Sequence, residues 1–317
     1  MLSRTADSLY WLGRYMERAG NTARALQVAL REAGMGGGRP AQGQGQGQGW
    51  RPLLLTSGDI GLLQGFGAAP DAAQIIQHLV MDRANNSSIQ SCIEASRQNA
   101  RQVRTALTVD MWESVNDTWG QMRRMENAMP SADDLPGFLD WVKRQTILFN
   151  GAYDGTMLRD EAWRFVRLGT MLERADNTAR VLHAHAAALS IMGPGTAEDY
   201  LNWQAILRNF TALRAYQWVY HGRIEPRRIA ELLILRGELP RSMIACHARI
   251  EGVLDEIATA HGGRRGECHR RAGEIHARLR FGRVEDIFAD GLEAFLNEMM
   301  ARNIDLGGQI AEFYLHN

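Results

Sequence analysis

Apolar residues recur every three or four positions along most of the chain, which is the spacing of amphipathic helices. No alternating pattern is long enough to predict a strand. Ser3 and Asp160 are predicted to cap the helices that begin beside them. The pattern predicts an all-α, multi-helix bundle of ten or more helices, including helices over about residues 5–33, 71–80, 88–107, 108–125, 137–150, 161–192 and, in one or two pieces, 284–315.

One segment of this pattern occurs twice. Residues 12–26 and 168–182 are identical at ten of fifteen positions with a constant offset of 156. At offsets of 153 or 154, the equivalence continues and pairs Trp50 with Trp203, Ser88 with Ser242 and Cys92 with Cys246. An internal repeat of this kind predicts two divergent halves, related by a pseudo-twofold axis, that share one helical plan.

The repeat suggests a simple domain organisation. We interpret residues 1–317 as a single domain with internal halves of about 1–155 and 156–317. Residues 34–49 consist largely of glycine and glutamine and predict a flexible surface loop. Residues 151–157 predict a turn-rich connection between the halves.

Both copies of the repeat keep polar residues as strictly as apolar ones. Positions i, i+4 and i+7 of a helix share one face, so Glu17, Asn21 and Arg24 form a polar stripe opposite the leucines and alanines. A solvated stripe is weakly specified, and we therefore expect this one to have partners. The candidate residues are Arg14, Glu17, Arg18, Asn21 and Arg24 in the first copy and Glu173, Arg174, Asn177 and Arg180 in the second.

Two interpretations of the stripe stay open. In the structural one, the two repeat helices face each other and close a buried network in which each charge has a partner. In the functional one, arginines and amides line a cleft for an anionic group, because a guanidinium matches a carboxylate or phosphate. Glu17 and Glu173 are then the candidate catalytic residues.

A second polar cluster follows in the first half. Arg97, Arg101 and Arg104 are spaced to share one helix face, which favours either a clamp for a carboxylate or ion pairs with Glu113 and Glu17. Ion pairing is the favoured interpretation. The cluster comprises Arg97, Asn99, Arg101, Arg104, Glu113 and Asn116.

Composition excludes several classes of protein. The 36 basic and 36 acidic residues balance, so no net charge attracts nucleic acid or an anionic membrane. Residues 261–283 are locally basic and are interpreted as a solvated or partner-docking face. An odd number of distant cysteines, three in all, indicates free thiols in a reducing compartment. We expect a bacterial cytoplasmic protein without a membrane span.

Motifs for cofactors or metals are lacking. Glycines 36–38 are not followed by the Gly-Lys-Ser/Thr of a phosphate loop, and no Glu-x-x-His or His-Glu-x-x-His occurs. Cys268 and His269 stand near His261 but are interpreted as incidental. The sequence thus predicts no cofactor and no metal.

Longer motifs carry a family resemblance. Residues 9–19 with 21–24, 97–101, 112–116 and 163–180 resemble the bacterial alpha-E domain family over essentially the whole chain. Two positions depart from its pattern: Gly20 stands where an acidic residue is usual, which Asp176 keeps in the second copy, and Gln98 replaces a glutamate. The resemblance implies an all-helical protein encoded or fused beside a circularly permuted ATP-grasp amide ligase, often with a transglutaminase-like peptidase.

These observations lead to three hypotheses of function. The first is a non-catalytic helical partner of the ATP-grasp carboxylate–amine ligase in peptide synthesis or peptide modification, which holds a peptide or amino-acid ligand bearing a carboxylate. The second is an enzyme of the same pathway that uses Glu17 or Glu173 as general base in an arginine-lined cleft. The third is a helical scaffold with no small-molecule site.

Overall fold

In the computed structural model, the described residues are 3–35, 50, 53–54, 56, 71–125, 130–192 and 197–316. They form thirteen α-helices, one 3₁₀ turn at Arg104–Ala106 and one π-helical turn at Ala311–Leu315, and no strand. The helices are α1 (Ser3–Met35), α2 (Ala72–Val80), α3 (Ile89–Gln102), α4 (Val109–Met125), α5 (Leu135–Thr156), α6 (Glu161–Met192), α7 (Ala197–Asn209), α8 (Leu213–Tyr220), α9 (Pro226–Ile234), α10 (Met243–Ala260), α11 (Glu267–Phe281), α12 (Val284–Asp290) and α13 (Leu292–Ile310).

The all-α prediction is confirmed, and several helix starts follow from capping chemistry. Asp71 and Ser88 accept backbone hydrogen bonds at the starts of α2 and α3. Asp160 accepts from the Trp163 backbone N–H at 3.2 Å at the start of α6, as predicted. Ser3, in contrast, is the first helical residue of α1 and not its cap.

Three sequence predictions of helix extent are wrong. The helix expected to reach residue 107 ends at Gln102, where a 3₁₀ turn takes over. The stretch 151–157 is helical through Thr156, because α5 continues past its glycines. Gly34 and Met35 extend α1, and the rest of the predicted Gly/Gln loop lies outside the described residues.

The packing order repeats along the chain. In the first half α1 packs against α3 and α5, and α4 packs against both of these. In the second half α6 packs against α10 and α13, and α11 packs against both of these. The two four-helix groups therefore have the same order of contacts, and α1 and α6 join them. A twofold relation of the complete halves stays a prediction.

The two repeat helices cross at a pair of glycines. A Cβ atom built on Gly13 would overlap the carbonyl oxygen of Val166, and one on Gly169 would overlap that of Tyr10. Val166 is the repeat equivalent of Tyr10, so the contact is reciprocal. Only glycine permits this approach of the backbones, which brings the side chains one turn further on within ion-pairing distance.

The apolar face of the repeat forms the centre of the core. Leu12, Met16, Ala19, Ala23 and Leu26 are all buried, as the 3.6-residue period predicts. The N-terminal part of α1 packs into the larger apolar cluster with α6, and its C-terminal part into a second cluster with α2 to α5. Glu17 and Asn21 of the polar stripe are buried as well.

Candidate functional site

The carboxylate of Glu173 on α6 is held by two arginines of α1. Arg14 Nε donates to Glu173 Oε2 at 2.8 Å, and Arg18 donates from Nε to Oε1 at 2.6 Å and from Nη2 to Oε2 at 3.0 Å. Only 6% of Glu173 is exposed. This bidentate geometry is the strong form of a charge-assisted hydrogen bond.

The carboxylate of Glu17 on α1 is held by three arginines. Arg174 Nη2 donates to Oε2 at 2.9 Å, and Arg241 Nη1 donates to Oε1 at 2.7 Å. Arg24 Nη2 reaches Oε1 at 3.5 Å and the Asn21 side-chain oxygen at 2.5 Å. Glu17 is 2% exposed, so its charge depends on these partners.

The two Glu-Arg dipeptides of the repeat interlock. Glu17 and Arg18 are adjacent, as are Glu173 and Arg174, yet each glutamate bonds the arginine of the other copy. Adjacent helix residues point to different faces, so the crossing helix must supply the partner. The glutamate and arginine side chains therefore form a buried network of charges between the two repeat helices.

Electrostatics fix the charge of both glutamates. Burial alone raises the pKa of the Glu17 carboxyl, but the charges of Arg174, Arg241 and Arg24 hold it well below its usual range. Burial opposes the charges of Arg18 and Arg14 at Glu173, and the net effect lowers its pKa to about 2. A carboxylate of this kind is a weak proton acceptor near neutral pH.

A pocket of about 270 Å³ opens beside Glu173. Its wall combines charged and amide groups from both repeat helices with residues of the first half. The lining residues are Arg18, Asn21, Thr22, Ala25, Leu53, Thr56, Leu79, Ser87, Glu173, Asp176, Asn177 and Arg180. Five of the nine candidate residues that the sequence predicts in the two repeat copies, including Asn177, thus line one cavity.

Two buried atoms at this pocket have no hydrogen-bond partner among the described residues. They are Nδ2 of Asn21 and Oδ1 of Asp176. The other oxygen of Asp176 accepts from Arg180 Nε at 2.6 Å. Buried polar atoms are normally satisfied, so two residues that line the pocket carry one unpaired donor and one unpaired acceptor among the described residues.

The second predicted cluster is a separate feature. Arg97 lies over the rings of Trp119, at 4.4 Å, and Trp112, at 5.8 Å, and Arg104 lies 4.9 Å over Trp112. No ion pair joins these arginines to Glu113 or Glu17 within the described part of the chain. The predicted ion pairing is therefore wrong, because α4 presents tryptophan rings rather than carboxylates.

The remaining members of that cluster also lie away from the network. Asn99 donates to the Ala95 carbonyl of its own helix at 2.9 Å, and Arg101 is exposed. Glu113 and Asn116 line a surface groove together with Arg104. The groove and the pocket beside Glu173 share no lining residue.

Four of the seven arginines in the basic segment 261–283 form ion pairs. Arg265 pairs with Asp255 at 2.7 Å, and Arg271 pairs with Asp305 at 3.2 Å. Arg270 and Arg278 also pair with glutamates. Across the described residues, no group of three or more His, Cys, Asp and Glu side chains is placed to hold a metal ion.

Sequence reasoning did not select Arg241, Asp176 or Ser87 as site residues. Arg241 lies outside the repeated segment and reaches Glu17 only because α10 packs on α6. The repeat gives one indication that Arg241 and Ser87 are equivalent. Arg241 directly precedes Ser242, and Ser87 directly precedes Ser88, the repeat equivalent of Ser242.

Fold and site together define an all-helical protein organised around two interlocked Glu-Arg pairs. The chain belongs to the Alpha-E family, described as a predicted alpha-helical domain with a conserved ER motif, whose family model matches residues 1–315. Glu17-Arg18 and Glu173-Arg174 are the Glu-Arg dipeptides of the repeated segment. None of the described helices is long and apolar enough to cross a lipid bilayer.

Curated relatives occur in mycobacteria. An uncharacterized protein of Mycobacterium bovis and two of Mycobacterium tuberculosis are each 26% identical over 329 residues, which covers 94% of this chain and 35% of the relative. The chain thus spans about a third of the length of these relatives. No solved structure shows a significant match.

Proposed function

We propose that this chain is a non-catalytic helical partner of a circularly permuted ATP-grasp carboxylate–amine ligase, in peptide synthesis or peptide modification. It binds the ligase and holds a substrate that bears a carboxylate. The observation that supports the proposal is the pocket beside Glu173, whose lining includes the guanidinium groups of Arg18 and Arg180, because guanidinium groups bind carboxylates. The resemblance in sequence supplies the identity of the partner.

Two further observations support a partner role. The mycobacterial relatives extend well beyond the aligned segment, so in them the segment is joined to other sequence. The ER carboxylates are both saturated by arginines, which disfavours the alternative in which Glu17 or Glu173 acts as general base. Peptidase association stays a proposal implied by the resemblance.

Reconstitution with the neighbouring ligase tests the proposal. The purified chain is added in increasing amounts to the ligase, and ATP-dependent amide formation is measured together with copurification. We expect copurification and a saturable increase in the rate. Neither copurification nor any change in rate would contradict the proposal.

A pocket variant separates the proposal from the scaffold hypothesis. Arg180→Gln removes one carboxylate-binding group from the pocket. We expect it to copurify with the ligase as wild type does but to stimulate it less at low substrate concentration. Equal stimulation by wild type and variant would instead favour a scaffold without a small-molecule site.

A further inference from the structure

The two sides of the Glu-Arg network differ in what lies beside them. Glu173 is paired with Arg14 and Arg18 and has a pocket beside it, whereas Arg241 from outside the repeat covers Glu17. We propose that this pocket binds a cationic nitrogen group, a guanidinium or an ammonium, at the end of the side chain of a ligand of amino-acid size. On the Glu17 side, the guanidinium of Arg241 shows how a cationic group binds to this network.

The position of Arg241 in the second half corresponds to Ser87 in the first. Ser88 caps α3 by accepting from Ser91 N at 3.1 Å, and Ser242 caps α10 by accepting from Ala245 N at 3.2 Å. Ser87 and Arg241 directly precede these two caps. The thiols one turn into the helices also match, since each donates at 3.8 Å to the carbonyl of the residue before Ser87 or Arg241.

Arg241 shows which acceptors take a cation at this position. Its Nη1 donates to Glu17 Oε1 at 2.7 Å and to Asn21 Oδ1 at 3.3 Å. The repeat equivalents of these acceptors are Glu173 and Asn177, and both line the pocket. Ser87 also lines it, but the side chain of serine is too short to fill the volume that a guanidinium takes on the other side.

The Glu173 side carries an additional carboxylate. Asp176 stands where the first copy has Gly20. Its Oδ2 binds Arg180, and its buried Oδ1 has no hydrogen-bond partner among the described residues. Asp176 is 9% exposed. Guanidinium and ammonium groups are pure donors, so either one satisfies this acceptor.

The inference deepens the proposed function and rests on it only for the role of the ligand. A carboxylate–amine ligase consumes an amine as well as a carboxylate. Arg18 and Arg180 line the same pocket and suit the carboxylate of an amino acid or peptide, and Asp176 with Asn177 suits the cationic nitrogen of its side chain. The pocket therefore matches a zwitterionic ligand better than a simple anion.

Calorimetric titration of the purified chain tests the charge requirement. The probes are L-arginine and L-citrulline, which have nearly the same shape but differ in charge, and L-lysine, which separates guanidinium from ammonium. We expect arginine, lysine or both to bind at least about tenfold more tightly than citrulline, the scale of one charge-assisted hydrogen bond. Equal binding of citrulline, or no binding of arginine and lysine, overturns the proposal.

Variants locate the binding. Ser87→Arg places on the Glu173 side the side chain that covers Glu17 on the other side, and we expect it to abolish arginine binding. Asp176→Asn keeps the shape but removes the charge, and we expect about tenfold weaker binding. Asp176→Asn decides the question if Ser87→Arg does not fold. Wild-type affinity in Asp176→Asn, or in a folded Ser87→Arg, overturns the proposal.

The reverse substitution provides a second measurement. Arg241→Ser opens the equivalent volume beside Glu17, and we expect the number of arginine sites to rise from one to two. If Arg241→Ser still has a single arginine site, and Asp176→Asn does not weaken binding at that site, the proposal is contradicted. These binding assays need no ligase, so the two proposals can fail separately. If the chain binds arginine but never binds the ligase, only the proposed function is refuted. If it stimulates the ligase but does not bind arginine, only this inference is refuted.

Discussion

Glu17 and Arg174 lie 157 positions apart in the chain, on two crossing helices, and Arg174 Nη2 donates to Glu17 Oε2 at 2.9 Å. The equivalent residues make the same bond in the opposite direction, from Arg18 to Glu173. Each Glu-Arg dipeptide thus gives its arginine to the other copy and receives one in return. The ER motif of the family is, in this chain, a contact between helices and not a property of one helix.

The first prediction concerns the stability of this network. Glu173→Gln leaves Arg14 and Arg18 without their anion, and breaking a buried pair in this way costs about 3–5 kcal/mol. We expect a similar loss for Glu17→Gln, measured as the free energy of unfolding in denaturant. Glu238→Gln is the control, because its exposed pair with Arg236 at 3.8 Å contributes about 0–1 kcal/mol.

The same variants test the enzyme hypothesis. If Glu17→Gln and Glu173→Gln leave the melting temperature unchanged but abolish an activity, the carboxylates act as catalytic groups. A large drop in melting temperature identifies them as members of the buried network.

The second prediction concerns the glycine crossing. Gly13→Ala places a methyl group against the Val166 carbonyl, and we expect a net destabilisation of at least about 1–3 kcal/mol despite the better helix propensity of alanine. Gly151→Ala in α5 is the control, since no atom of another packed element lies within 4 Å of the position that its methyl group would take. It is expected to stabilise by up to about 1 kcal/mol. Thermal unfolding of the two variants distinguishes these outcomes.

The third prediction concerns acid unfolding. Burial lowers the pKa of His247 from 6.5 to about 3, so the unfolded chain binds this proton first. The free energy of unfolding therefore falls as pH drops below about 6.5, by up to about 1.4 kcal/mol per pH unit for this group. Glu173, with its pKa lowered from 4.5 to about 2, adds a second loss below about 4.5.

Two variants separate these pH windows. His247→Phe is expected to flatten part of the slope from about pH 6.5 down to about 3. Glu173→Gln is expected to flatten it only below about pH 4.5 and to leave the loss above that pH unchanged. Identical pH profiles of stability for wild type and His247→Phe would show that His247 is not buried in its neutral form.

The fourth prediction concerns the thiols. Cys92, Cys246 and Cys268 are buried and free, and burial raises the pKa of Cys92 to about 12 and those of the other two to about 11. Because the thiolate is the reactive form, we expect no reaction with an aromatic disulfide reagent at about pH 8 before unfolding and three reactive thiols after it. Rapid labelling of the folded chain would refute this assignment.

The repeat makes the central part of this fold predictable. Ten identities at a constant offset identify the helix pair, and the i, i+4, i+7 spacing identifies Glu17, Asn21 and Arg24 as one face. The bond directions within the network are not predictable, because they depend on how the two helices cross. That crossing is set by Gly13 and Gly169, whose role emerges only when the opposing carbonyls are in place.

Predictions fail where a residue's partner lies on a helix outside the repeat. Arg97 is expected from the sequence to pair with a carboxylate, but α3 packs on α4 so that Trp119 faces it. Arg241 was not predicted because the turn that carries it, just before α10, reaches Glu17 only in the folded chain. Spacing along one helix identifies a face, and tertiary packing decides what that face meets.

The exchange of arginines between the copies has a consequence for any shortened version of this protein. Residues 1–155 alone would bury Glu17 without Arg174 or Arg241, and residues 156–317 alone would bury Glu173 without Arg14 or Arg18. Neither fragment can complete its own interior, so a cut between the copies leaves two incomplete molecules rather than two small domains.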